Sequence, residues 1–96
     1  MDTIRRFDLM EKMVHELEDL KNSQEALIKK LSKIEVDNID LGDKKLEKDL
    51  PDMHERVAAN LDAVTEILAY FAEKTDEFSS KNNVSALKEQ EDIDNI

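Results

Sequence analysis

The chain has 96 residues, a formal charge of −10 and no Cys, which excludes disulfides, thiol catalysis and cysteine-ligated zinc. A chain of this size forms one thin domain that buries only roughly two-thirds of its unfolded surface, so its core is marginal unless a partner completes it. A single Gly (Gly42) and a single Pro (Pro51) are too few for a multi-stranded β protein, while abundant Leu, Lys, Glu, Asp and Ala suit long helices.

From about 3 to 35 the apolar residues fall at helical spacing. Met10, Met13, Leu17, Leu20, Gln24, Leu27, Leu31 and Ile34 alternate steps of three and four, the pattern of a heptad seam with one polar member. Phe7, Val14 and Ile28 flank that seam. Asp8 with Lys12 and Glu25 with Lys29 are acid–base pairs four apart on the solvent side. A turn is expected at about 36–42, where Gly42 offers the one inexpensive left-handed position.

The second helix is expected over about 43–80. Asp43 can cap it, and Leu46 and Leu50 carry the period into Pro51, where a kink is predicted. Pro51, Asp52 and Glu55 also resemble the start of a helix with a capping box. Leu50, His54, Val57, Leu61, Val64, Leu68, Phe71, Thr75 and Phe78 form its seam, flanked by Met53, Ala63, Ile67 and Tyr70. The polar run 79–83 favours a turn, and the acidic segment 84–96 reads as a short helix capped by Ser85 or as a disordered tail.

A gap as short as 36–42 returns the chain antiparallel. The predicted fold is therefore all-α: residues 1–83 form an antiparallel helical hairpin of two long amphipathic helices. Self-association would complete it to a four-helix bundle, and the rival arrangement folds 84–96 back as a third helix.

No catalytic, cofactor or metal residues are predicted. Glu11, His15 and Asp19 share one helical face, but a surface histidine beside carboxylates is the preferred reading. His54 lies on the second seam, where a core-edge or interface role is preferred. Neither His follows a Glu by three residues, as a di-iron bundle requires. The stretch 37–43 has acids but fails the calcium-loop pattern, since Ile39, Leu41 and Lys48 stand where oxygen ligands belong.

Charge narrows the partners. Residues 1–34 balance seven basic against seven acidic side chains, and everything after them is net acidic. Nucleic acid and anionic membrane both need a basic face, so neither is expected, and no small-molecule substrate is indicated. The charged start, Met1 to Asp8, leads into no apolar run, and the longest such run, 67–72, is too short to span a bilayer. The cytoplasm is the expected location, with leaderless export compatible with the same residues.

The apolar stripes are wider than a two-helix pairing consumes, and a broad exposed apolar face marks an interaction surface. The predicted interface comprises Met13, Leu17, Leu20, Leu27, Leu31, Met53, Val57, Leu61, Val64, Ile67, Leu68, Phe71 and Phe78. The expected function is that of a non-enzymatic interaction module, a small helical adaptor, chaperone or assembly subunit. Its partner would be a second copy or another helical protein. The alternative is an acidic inhibitor that occupies a basic groove, as a nucleic-acid mimic would.

Chain length and the central Gly42 resemble the layout of the WXG-type helical hairpins exported by type VII secretion. This chain has no Trp, and Tyr70 is followed four residues on by Lys74 rather than an acid. The resemblance implies an accessory or exported hairpin of such a system.

Overall fold

The computed structural model describes residues 1–94. Among them are three helices and no strand: α1 Thr3–Leu41, α2 Lys44–Lys81 and α3 Val84–Asp94. The chain is all-α, and its two long helices pack side by side as a hairpin.

α1 begins where the Asp2 side chain accepts a hydrogen bond from the Arg5 backbone N–H at 2.8 Å, satisfying one of the four amides that a helix start leaves unpaired. It does not end near 35. The helix continues through the stretch predicted as a turn, and only Gly42 and Asp43 separate it from α2. Asn38 makes the tighter connection possible. Its buried side-chain amide donates to the Asp43 carbonyl at 3.1 Å, and its Oδ1 accepts from the Asp43 N–H at 3.0 Å. Gly42 then turns left-handed with φ 73°, and its N–H bonds back to the Asn38 carbonyl at 2.6 Å. A Cβ there would meet nothing, so the backbone conformation alone calls for glycine.

α2 is capped by Asp43, whose carboxylate accepts from the Leu46 N–H at 2.9 Å. The helix therefore starts at Lys44 and passes through Pro51, and Asp52 with Glu55 does not serve as its start. Pro51 has no N–H to give the Glu47 carbonyl one turn earlier. A cleft of about 550 Å³ opens beside it, walled by Val36, Ile39, Leu46 and Leu50.

The α2 seam is as the spacing predicts. Val57, Val64 and Thr75 are buried, and Leu50, His54, Leu61, Leu68, Phe71 and Phe78 are half-buried. Thr75 remains satisfied because its hydroxyl donates to the Phe71 carbonyl at 2.8 Å. The α1 seam differs from the prediction. Met10, Leu17, Gln24 and Leu31 face α2 as expected, but their companions are Phe7, Val14, Lys21, Ile28 and Glu35 rather than Met13, Leu20, Leu27 and Ile34. The helix is rotated about its axis toward the line predicted as a flank. Across the seam, Glu35 Oε1 lies 2.8 Å from His54 Nδ1 with both side chains half-buried.

α3 answers the question left open for 84–96 as far as Asp94; Asn95 and Ile96 lie outside the described residues. Asn82 and Asn83 form the turn, with Asn83 at φ 49°, and α3 folds back over the open end of the hairpin. Val84 is only 2% exposed. Lys88 donates to Asp8 at 2.8 Å and sits 5.2 Å from the centre of the Phe7 ring. Asp8 is thus taken by α3, and Lys12 pairs instead with Glu16 at 3.8 Å. The hydrogen bond to Asp8 holds the Lys88 pKa above its usual 10.5.

Candidate interaction face

The predicted interface residues divide into two sets. Leu31, Val57 and Val64 are buried in the seam within one chain, with Leu17, Leu61, Leu68, Phe71 and Phe78 half-buried beside them. Met13, Leu20, Leu27, Met53 and Ile67 are all exposed, from 41% for Met13 to 52% for Ile67. Ile34, predicted for the seam, joins this second set at 43%.

The exposed set forms one continuous face. Met13, Leu20, Leu27 and Ile34 are spaced by seven residues, so they run as a line along α1 just beside the seam. Met53, Asn60, Ile67 and Lys74 form the equivalent line on α2. An antiparallel pair has a pseudo-two-fold axis normal to its broad faces, so equivalent heptad positions of the two helices share a face. The Glu35–His54 contact fixes the alignment, since the residues immediately before them are Ile34 and Met53. Leu20 and Ile67 then lie at one level, as do Met13 and Lys74. Leu9 and Tyr70, 43% and 61% exposed, extend the face outward. Leu9 stands outside the seam spacing and Tyr70 on its flank, so neither is an expected interface residue. The signals that place them on the face are the helical turn from Leu9 to Met13 and the i, i+3 step from Ile67 to Tyr70.

The opposite broad face is different in kind. Its α1 line is Glu11, Glu18 and Glu25, and its α2 line carries Glu55, Asp62 and Asp76, with small Ala58, Thr65 and Ala72 between them and the seam. Away from the tip the hairpin is therefore two-faced, one side largely apolar and the other acidic; at the tip the acidic line gives way to Ile39, beside the cleft. α3 touches the open end around Phe7 and Asp8 and leaves the apolar face uncovered, since Leu20, Ile67 and Tyr70 remain exposed.

No protein-family model, curated protein or solved structure matches this chain. The physical features of the face therefore carry the functional argument. The most telling is what α1 turns inward. Lys21, Gln24, Glu35 and Asn38 stand in or at the end of the seam, while the uninterrupted apolar line 13/20/27/34 faces water. Gln24 Oε1 is buried without a hydrogen-bond partner. Each half-exposed Leu or Ile withholds roughly 1 kcal/mol of burial free energy.

The size of the surface agrees. The chain exposes 7447 Å², whereas a globular monomer of 11.1 kDa exposes about 5,700 Å². Elongation contributes to the difference, yet the excess is well above the roughly 800 Å² per partner that a standard interface buries.

His15 lies 3.7 Å from Glu18 on an exposed surface, and His54 is occupied across the seam by Glu35. Among the described residues no group of three His, Asp or Glu side chains is placed to hold a metal ion. No described helix is long and apolar enough to cross a membrane.

Proposed function

We propose that the protein is a non-enzymatic helical interaction module that docks α-helices on its apolar face, as an adaptor, chaperone or assembly subunit does. One observation carries this reading: α1 turns the more polar of its two candidate lines into its own seam and leaves the fully apolar one in water. The opposite rotation would exchange Phe7, Val14, Lys21, Ile28 and Glu35 for Met13, Leu20, Leu27 and Ile34, and a monomer gains more from an unbroken apolar line than from one that seats Lys21 and Glu35. Helices are the fitting ligand, since a ridge of side chains seven apart is complementary to the groove of another helix.

Site-specific photocrosslinking in the native cells tests it. A crosslinker at Leu20 should give discrete protein adducts that one at Asp62 does not, and adducts at Asp62 alone would overturn the reading. That second outcome would favour the acidic inhibitor, which the line of Glu55, Asp62 and Asp76 supports. The two also differ in salt response. Docking through the apolar face should survive high salt, whereas an acidic face in a basic groove should release.

A further inference from the structure

We infer that the occupant of the apolar face is a second copy of this chain, laid face to face with its hairpin tip at the opposite end. The inference rests on the interaction-module reading and names its partner. Its basis is that the α1 half of the face is self-complementary on reversal, in both its apolar line and its charges.

The line Met13, Leu20, Leu27 and Ile34 of α1 stays apolar at every position when it is reversed on itself. When a second copy is reversed and laid on it, Met13 falls opposite Ile34 and Leu20 opposite Leu27 of that copy. The line flanking it is Leu9, Glu16, Ser23, Lys30 and Asp37, also seven apart. Reversal about Ser23 places Glu16 of each copy opposite Lys30 of the other, giving two symmetric ion pairs, and sets Leu9 against Asp37 at the ends of the line. Ser23 meets its own equivalent at the centre, where a small side chain lets the helices approach.

On α2 the central line matches less well, with Asn60 opposite Ile67 and Met53 opposite Lys74, and the support comes from the line beside it. There Ala63 lies level with Ser23 and also meets its equivalent, and Arg56 is brought to Tyr70, whose ring already carries Lys74 of its own chain at 5.7 Å. Only at the outer edge do acids face each other, Asp49 with Glu77, where salt screens them. The other face-to-face dimer, with both tips at one end, stacks α1 on α2. It sets Lys30 against Arg56 and Asp37 against Asp49, like charge on like charge at both positions. The acidic faces repel one another, so a stack through them is disfavoured too.

Glu16 and Lys30 are about 21 Å apart along one helix and cannot pair within a chain. Charge reversal is therefore diagnostic. By sedimentation equilibrium the wild type should be a dimer, and Glu16→Lys or Lys30→Glu alone should raise the dimer Kd about five- to thirtyfold. The double variant Glu16→Lys/Lys30→Glu should return it to within about threefold of wild type. All of these positions are exposed and outside the seam, and circular dichroism should show unchanged helicity. A wild type that stays monomeric at high micromolar concentration overturns the inference, as does a double variant no tighter than the singles. Dimerisation strengthened by Lys30→Glu alone would establish the same-end arrangement instead. A monomer that still gives discrete adducts at Leu20 leaves the interaction-module reading standing while removing self-association.

Discussion

Gln24 and Lys88 show how single side chains set the limits of this fold. Gln24 stands mid-seam with a buried oxygen that accepts no hydrogen bond. An orphaned buried acceptor costs about 1–3 kcal/mol, so Gln24→Leu should raise unfolding stability by that order in a urea melt. Lys88 holds α3 through Asp8 and the Phe7 ring. Lys88→Met should leave α1 and α2 unchanged and speed amide hydrogen exchange across 84–94. The pH dependence follows from the raised lysine pKa, whose first cause is the hydrogen bond to Asp8. A raised lysine pKa gives a contribution present in full at neutral pH and lost as alkaline pH removes the proton. Exchange in α3 should accordingly quicken, relative to α1 and α2, above the usual lysine range.

At the scale of the element, the rotation of each helix decides which apolar residues hold the chain together and which face outward. Ile67 and Leu68 are neighbours in sequence, turned apart by roughly 100° on α2. Leu68 is half-buried against α1, and Ile67 is 52% exposed. Leu68→Asp should destabilise the hairpin by about 3 kcal/mol, because a carboxylate would be stranded in the seam. Ile67→Asp should change the stability of an isolated hairpin by less than about 1 kcal/mol and abolish association. Thermal melts of dilute protein, paired with sedimentation of concentrated protein, separate the two effects. The α2 seam was legible because its two lines are unambiguous, with Val57, Val64 and Phe71 on one and Leu61 and Leu68 on the other. On α1 two adjacent apolar stripes compete, so periodicity alone had no means to choose between Leu20 and Lys21 as the inward residue. The turn was misplaced for a related reason. Asn38 reads as a loop residue until its hydrogen bonds to Asp43 show that it closes the last turn of a helix.

The whole molecule is a rod measuring 67 × 24 × 17 Å, with a radius of gyration of 20.9 Å against about 12.5 Å for a globule of this length. Only five apolar residues are buried among those described, so the isolated hairpin has little core to spare. A dimer through the apolar face would roughly double the thickness of the rod and barely lengthen it, which X-ray scattering in solution can read directly. With −10 on each copy, added salt should tighten that dimer by screening the net repulsion. The amino-acid sequence by itself determined the helical class, the two long amphipathic segments, the glycine at their junction and an apolar excess beyond one seam. These follow from local periodicity and from the scarcity of turn residues. Only the tertiary structure decided how that excess is divided. In the folded chain Glu35 meets His54 across the seam and Asn38 closes the connection onto Asp43, and in that arrangement Met13, Leu20, Leu27 and Ile34 face water. Those contacts join residues far apart in the chain or closed around a turn, where the helical period carries no information.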